Sequence, residues 1–234
     1  MAKLFQHGTL AMLVDGLFGG TIDSNELLKH GDFGIGTAEG LNGELIVLNG
    51  VIYQALADGS VQKVNDEMLP FADVNWSKFE NRVQVENANM QNVDQLLSKE
   101  AMFHNTFVAI KLTGTFDKVQ TRVVEKQERP YPGLSETASQ QKVFDAQTIS
   151  GTVVGYYTPE LFNGAGVAGM HLHFLDDKHQ FGGHLLGFEA TKAVLSWQIL
   201  DGLDLELPTG DSEFMGHHPS SMEDVHQSIS ESEK

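Results

Sequence analysis

Residues 169–189 read GMHLHFLDDKHQFGGHLLGFE, two segments with alternating apolar residues separated by a polar stretch. Side chains of a β-strand point alternately to its two faces, so His171 and His173 would share one face of the first segment. The polar residues 176–180 predict a turn, and the two glycines that follow open a second strand. We therefore expect a β-hairpin with imidazoles on one of its faces.

The pairing register determines whether a third histidine joins this face. If His173 lies opposite His184, their Cβ atoms are about 5 Å apart, and parity places His171 on the same face. Three neutral imidazoles converging from a rigid hairpin are the ligand set of a catalytic zinc site, with metal–nitrogen distances of ~2.1 Å and one open position. A His-x-His strand alone would also suit a hydrogen-bonded polar sheet face. We expect His179 to be a solvated turn residue rather than a fourth ligand.

The composition limits the possible partners. The 234 residues carry a formal charge of -17 and include no cysteine. Nucleic acids and anionic membranes bind lysine- and arginine-rich surfaces, so this acidic chain favours a small-molecule partner. Any metal must be held by histidines and carboxylates, and the lack of thiols suits a reducing cytoplasm. We find no signal-peptide pattern at the N-terminus and no apolar run long enough to span a bilayer.

The first half of the chain predicts a sheet with a few short helices. Asn49-Gly50 lies between two apolar runs and predicts a tight hairpin turn, and Asp58-Gly59 precedes another short strand. The other elements expected in this half are strands at 107–116 and 119–124 and helices at 9–17, 24–28 (capped by Ser24) and 92–100.

A boundary is expected where Arg129-Pro-Tyr-Pro-Gly can continue neither a helix nor a strand. It divides the chain into halves 1–133 and 134–234. The second half predicts strands at 148–157, 169–175, 183–189 and 194–200. The tail from residue 211 is acidic and weakly apolar, a composition typical of disorder. Its histidines, His217, His218 and His226, are expected at the surface.

Three charged residues outside the hairpin are candidates for chemistry or structure. Arg122 lies in an apolar strand context, so it either faces water at a sheet edge or binds an anion with its planar guanidinium. Glu44 begins a strand directly before four apolar residues. It is either a solvated strand start or a semi-buried acid able to donate a proton. Arg129, next to Pro130, is expected to be structural.

Five sequence blocks, in this order, resemble the alpha-acetolactate decarboxylase family, and the resemblance runs from about Phe5 to the tail. The blocks are GTAEGLNGELI at 36–46, KLTGTF at 111–116, RVVEKQERPYP at 122–132, GYYTP at 155–159, and HLHF at 171–174 with GGH at 182–184. Each block alone is weak, whereas five in family order are specific.

The resemblance implies a zinc enzyme that converts 2-acetolactate to acetoin and carbon dioxide without an organic cofactor. It further implies that the metal, as a Lewis acid, stabilises an enediolate formed when carbon dioxide leaves. The site residues that it implies are zinc ligands His171, His173 and His184, the active-site arginine Arg122, a first glutamate at Glu44 and a second in the tail. Glu231 is the tail match, with Glu233 as the alternative because the spacing departs by a residue or two.

The fold implied by the resemblance is α+β, with two packed mixed β-sheets, one in each half, and a few short helices. The zinc hairpin lies in the second half, and the tail from about Met222 is expected to close over the zinc. The family also implies a cytoplasmic homodimer that diverts acetolactate from branched-chain amino-acid synthesis towards acetoin and butanediol.

Other protein classes share part of this pattern. Cupin-type metal enzymes also place His-x-His on a strand, but the glutamate expected a few residues later is missing, where Asp177 and Lys178 stand. Carbonic anhydrases have a third histidine as well, yet their flanking residues are absent from the sequence. A non-catalytic β-rich protein with a structural metal is a further alternative. Zinc analysis combined with an acetoin assay separates these classes.

Overall fold

Two β-sheets packed face to face form the framework of the computed structural model, which describes residues 1–100 and 102–232. The strands are β1 Lys3–His7, β2 Ile22–Asp23, β3 Phe33–Thr37, β4 Glu44–Leu48, β5 Val51–Ala55, β6 Val61–Lys63, β7 Met68–Leu69, β8 Phe71–Asn75, β9 Asn81–Asn89, β10 Phe107–Val123, β11 Lys142–Thr158, β12 Gly169–Asp176, β13 Gly182–Leu200 and β14 Gly202–Glu206. The helices are α1 Leu10–Val14, α2 Ser24–Leu27, α3 Met90–Leu97, α4 Leu134–Ala138, α5 Ser212–Gly216 and α6 Met222–Ser232.

The first sheet has seven strands in the order β14-β1-β8-β3-β4-β5-β6. Its pairs are antiparallel except β1 with β14, which are parallel. The β4–β5 hairpin turns at Asn49 and Gly50, whose φ angles of 54° and 74° are left-handed. Asparagine and glycine adopt these angles at low cost, so the predicted hairpin is confirmed.

The second sheet contains β10, β11, β12, β13 and β9, and β10 also pairs with β13. The first four strands therefore close into a ring. β10 and β13 are 17 and 19 residues long, and their pairing is interrupted by register shifts that bend the strands. The predictions of separate strands at 107–116 and 119–124, and at 183–189 and 194–200, are thus wrong. The residues between these segments lie on continuous bent strands.

Helices α1 and α2 each begin directly after a residue whose side chain caps the helix. Thr9 caps α1 by accepting a hydrogen bond from the Met12 amide, as the predicted helix start requires. Asp23, not Ser24, caps α2, because the Asp23 carboxylate accepts from the Asn25 amide at 2.8 Å. The Ser24 hydroxyl instead accepts from the Glu67 amide, 3.1 Å away.

Strand β12 is buried on both faces, which positions its histidines. Leu172 and Phe174 point into the core enclosed by the ring. Leu175, on the opposite face, packs between the two sheets with residues of the first sheet such as Ile35 and Ile46. His171 and His173 share that second face by strand parity, so they are directed at the first sheet.

The α+β class with packed sheets and a few short helices is confirmed. Only the first sheet is mixed, because all pairs of the second sheet are antiparallel. The allocation of one sheet to each half is wrong, because β14 joins the first sheet whereas β9 and β10 join the second. These strands pair with segments that are distant in the sequence. Local sequence patterns do not show which distant segments pair. The division of the chain at residue 133 into two units stays a prediction.

The acidic tail is helical over α5 and α6, in contrast to the disorder that its composition indicated. Val225 and Ile229, one helical turn apart, are 1% and 4% exposed and pack with residues of α1 and α4. Two apolar residues are a weak signal in the sequence, and they order the helix only because an apolar surface receives them. No helix in the described part of the chain is long and apolar enough to cross a membrane.

Candidate metal centre and active site

Three imidazoles meet between the two sheets. β12 and β13 pair with His173 opposite His184, the register on which the sequence prediction depended. The three ring centroids lie 5.0–5.5 Å apart, with His171 as the third member. One ligand atom from each residue lies within 4.8 Å of the others, a spacing that allows all three to bind one ion.

The hydrogen bond of His173 fixes which of its nitrogens can bind a metal. Its Nδ1 lies 2.8 Å from the Leu45 carbonyl oxygen in the opposite sheet. A carbonyl oxygen only accepts, so Nδ1 carries the proton and Nε2 carries a lone pair. Among the described residues Nε2 has no hydrogen-bond partner, although it is buried 3.4 Å from Oε2 of Glu44. A metal ion bound at this site would take up the Nε2 lone pair, and a histidine held by a carbonyl is common in metal sites.

Burial keeps the three imidazoles neutral. It lowers the pKa of His171 to about 3, with a smaller contribution from the nearby Arg122 charge. Burial also holds the pKa of His173 and of His184 well below the usual histidine range, and the neighbouring imidazoles and Arg122 act in the same direction. Neutral imidazole is the form that coordinates a metal, so these ligands need not lose a proton at neutral pH.

Arg122 lies on β10 directly opposite His184 in the strand pairing. It is 5% exposed, and its Nη1 lies 3.8 Å from Oε1 of Glu44. A register shift between Gln120 and Thr121 immediately precedes it and changes the direction of the strand. The interpretation of Arg122 as an edge residue facing water is therefore excluded, and a buried guanidinium faces the site.

Glu44 comes from the opposite sheet and completes the group. It is 8% exposed, so the interpretation as a solvated strand start is wrong. Its two carboxylate oxygens face Arg122 and His173. The residue lies at the first position of β4, after a turn in which Thr37 donates a hydrogen bond to the Gly43 carbonyl at 2.9 Å. A buried carboxylate beside a guanidinium and three imidazoles can bind a cation or transfer a proton.

These side chains line a cavity of about 60 Å³. Sequence reasoning missed its other walls, which are Leu10, Leu13, Gly36, Thr37, Leu41, Phe71, Val124 and Leu134. The alternation of residues 33–37 could have identified Thr37 as inward-facing. The leucines come from short helices and a loop far apart in the chain, and nothing in their local pattern indicates a cavity wall.

Helix α6 of the tail packs against apolar residues that line this cavity. Val225 and Ile229 of α6 belong to the same apolar cluster as Leu10, Leu13, Leu41, Phe71, Val124 and Leu134. Glu231 lies on the exposed side of α6, where its carboxylate accepts hydrogen bonds from Ser135 at 3.2 Å and from Gln227 at 3.0 Å. Among the described residues that line the cavity, Glu231 is absent. The alternative Glu233 lies outside the described residues.

The remaining candidates lie away from the cavity. His179 is exposed at the tip of the hairpin with a φ of 55°, so its prediction as a turn residue is confirmed. His218 and His226 are exposed, whereas His217 is half-buried with its Nε2 2.8 Å from an Asp15 carboxylate oxygen. The Arg129 guanidinium stacks on the Tyr131 ring and pairs with Glu213, in line with a structural role.

The fold and the cavity define a two-sheet α+β protein with a buried three-histidine centre beside an arginine and a glutamate. Its residues 4–219 match the family model described as alpha-acetolactate decarboxylase. The chain therefore belongs to the alpha-acetolactate decarboxylase family, whose members are carboxy-lyases, and it is an enzyme of that class. The family resemblance of the five sequence blocks is thereby confirmed.

Relatives match over most of their length. The alpha-acetolactate decarboxylase of Methanosarcina mazei is 38% identical over 211 residues, which cover 89% of this chain and 73% of the relative. That of Streptococcus thermophilus is 37% identical, with 91% of each chain covered. The crystal structure of alpha-acetolactate decarboxylase from Bacillus subtilis strain 168 superposes with a TM-score of 0.94 at 31% identity, covering 99% of each chain.

Proposed function

We propose that this enzyme converts 2-acetolactate to acetoin and carbon dioxide at a zinc ion held by His171, His173 and His184. The observation that carries the proposal is the convergence of three neutral imidazoles, within 4.8 Å at their ligand atoms, beside Arg122 and Glu44. Membership of the family supports the substrate. The all-nitrogen donor set with one position left open supports zinc as the metal.

The reaction breaks one carbon–carbon bond. 2-Acetolactate carries a hydroxyl and a carboxylate on one carbon and a ketone on the next. When carbon dioxide leaves, the electron pair of the broken bond moves toward the ketone oxygen and produces an enediolate. Zinc, when bound, supplies a Lewis acid that favours this electron movement.

Arg122 is proposed to orient the substrate and to stabilise the developing charge. Its buried guanidinium faces the cavity next to His184, where little water competes for its donors. A preorganised cation in such a site contributes most when it lies closer to the charge of the transition state than to that of the substrate. The fork geometry also suits a carboxylate, so Arg122 can hold the group that leaves.

Glu44 is our choice for the proton donor. The enediolate needs one proton on carbon to become acetoin, and delivery from one side fixes the configuration of the product. Glu44 lines the cavity, with its carboxylate oxygens 3.8 Å from Arg122 and 3.4 Å from His173. A tail glutamate, Glu231 or Glu233, is the second candidate, and the contact of Glu231 with Ser135 gives it less support.

The test is turnover before and after metal removal. Purified protein is given 2-acetolactate, and acetoin and carbon dioxide are measured with the native metal, after dialysis against a chelator, and after zinc is restored. We expect equal amounts of both products, loss of activity on chelation, and recovery with zinc. Unchanged turnover in metal-free protein would exclude the zinc site, and absence of acetoin with stoichiometric zinc would exclude the substrate.

We further propose that the protein is a homodimer, which the family resemblance supports. We also propose that it lies in the cytoplasm, a reducing compartment that suits a chain without cysteine. The chain has a mass of 25.7 kDa, so light scattering on purified protein should give twice that value. A mass equal to one chain at micromolar concentration would contradict the dimer.

A further inference from the structure

Asp176, the last residue of β12, organises the loop of the histidine hairpin. It is 5% exposed, whereas the polar residues 177–180 that follow it are on the surface. One carboxylate oxygen accepts hydrogen bonds from the backbone amides of Gln180 at 2.6 Å and Phe181 at 2.8 Å. The other oxygen accepts from the Lys178 amide at 3.1 Å. A single buried carboxylate therefore connects the start of the loop to its end.

The loop helps to hold β12 and β13 in register. In a hairpin the length and conformation of the loop set the pairing of the two strands. β12 and β13 pair over three positions, 173 with 184, 174 with 183 and 175 with 182, whereas β11 and β12 pair over eight. So short a pairing resists displacement weakly by itself. The hydrogen bonds of the loop therefore have a large share in fixing how β12 lies against β13.

The register of the hairpin determines the spacing of two proposed metal ligands. His173 lies opposite His184 in the pair farthest from the loop. Each histidine also has its own neighbour outside the hairpin, the Leu45 carbonyl for His173 and the paired residue Arg122 for His184. The distance between the two imidazoles therefore depends on the β12–β13 pairing. Metal–nitrogen distances vary by only about 0.2 Å in good sites, so a small displacement of one strand weakens binding.

We propose that Asp176 is a positioning residue of the metal centre, whose carboxylate holds the loop so that His173 and His184 keep the spacing that one ion requires. This inference rests on the proposed function, in which these histidines bind zinc. Asp176 is absent from the described residues that line the cavity, so it acts through the backbone of the hairpin and not as a ligand. Residues that orient metal ligands typically change metal affinity about 10- to 100-fold.

Zinc affinity in Asp176→Ala, measured by competition with a chromogenic chelator, tests the proposal. We expect it to be about 10- to 100-fold lower than in wild type. Asp177→Ala is the matched control, because it removes the same charge from the next, exposed residue and keeps its backbone hydrogen bond to Ser150. It should stay within about twofold of wild type. Asp176→Asn keeps an oxygen that the Gln180 and Phe181 amides can reach, so the loss should be only about 2- to 5-fold.

Substitution with Co²⁺ distinguishes positioning from a general loss of stability. The visible spectrum of bound Co²⁺ depends on the number and geometry of its ligands. Each variant is stripped of metal, loaded with Co²⁺, and measured at a temperature at which circular dichroism shows it to be folded. We expect a changed spectrum in Asp176→Ala and the wild-type spectrum in Asp177→Ala. A wild-type spectrum combined with a lower melting temperature in Asp176→Ala would overturn the proposal.

Two further comparisons complete the test. If Asp176→Ala does not fold, zinc affinity is compared between Asp176→Asn and Asp177→Asn, and equal affinities would overturn the proposal. Neither metal measurement uses 2-acetolactate. Failure of the zinc-loaded wild type to make acetoin would therefore overturn the proposed function, whereas wild-type zinc affinity in Asp176→Ala would overturn the role of Asp176.

Discussion

His173 holds its Nδ1 proton against the Leu45 carbonyl, so the single atom available to a metal is Nε2. The strand parity that places His171, His173 and His184 together could be derived from the sequence, because a two-residue period is local. The burial of Glu44 and Arg122 could not be derived, because each faces a strand from a distant part of the chain.

Removing one imidazole tests the ligand set. In His173→Ala we expect the loss of stoichiometric zinc, with affinity reduced by more than about 100-fold, because only two nitrogen ligands are left. His179→Ala is the matched control, since this exposed histidine lies on the same hairpin, and it should keep full zinc content. Metal analysis after gel filtration measures both variants. Tight stoichiometric zinc in His173→Ala would mean that the ligand set is wrong.

Replacing each carboxylate by its amide identifies the proton donor. Glu44→Gln keeps the shape of the side chain but cannot deliver a proton, so kcat should fall by about 10²–10⁴ while zinc stays bound. Glu231→Gln and Glu233→Gln are assayed in parallel for the amount of acetoin and its configuration. The variant with the larger loss identifies which tail glutamate takes part in the reaction. Wild-type kcat in Glu44→Gln would transfer the role to the tail.

Helix α6, near the C-terminus, packs against residues that form the wall of the cavity. Its buried residues Val225 and Ile229 pack on the leucines that line the cavity from α1 and α4. The sequence predicted a tail that closes the site only through family resemblance. The helix itself was missed, because its stability depends on a docking surface assembled from other segments.

Deleting residues 222–234 should abolish turnover while the histidine ligands remain. We expect kcat/KM to fall more than about 100-fold, because removal of α6 opens the cavity to water and weakens its electrostatic interactions. Zinc content should be unchanged, since β12 and β13 are intact, and the melting temperature should fall only modestly. Turnover and metal content measured on one preparation test this expectation. Full activity in the truncated protein would rule out a closing role for the tail.

For the whole molecule, a buried carboxyl group between the sheets links stability to pH. Asp73 of β8 is 5% exposed, and burial raises its pKa to about 8. The same burial and the nearby Asp73 raise the pKa of the Tyr156 hydroxyl, which lies within hydrogen-bond distance of the Phe33 carbonyl oxygen (2.9 Å) and of the Asn75 amide oxygen (2.8 Å). Asp73 is therefore protonated in the folded protein at neutral pH, whereas an unfolded aspartate is ionised above about pH 4.

This difference predicts that stability falls as pH rises. The folded pKa is higher than the unfolded one, so the contribution is fully present below about pH 4 and is lost progressively up to about pH 8. Each pH unit in that window costs at most about 1.4 kcal/mol of unfolding free energy. Asp73→Asn, which imitates the protonated form, should flatten the profile between pH 5 and pH 8 in urea titrations. An unchanged profile in this variant would assign the dependence to other groups.

The three histidines lie in one sheet and Glu44 lies in the other. This arrangement bears on the order in which the parts of the site come together. The three imidazoles belong to one local hairpin, whereas the acid at position 44 and the carbonyl that fixes the His173 tautomer arrive only when the opposite sheet docks. We therefore expect that the ring alone can bring the three imidazoles together, whereas Glu44 joins them only when the two sheets are packed. If so, catalytic activity requires the packed sheets, whereas metal binding requires only the ring.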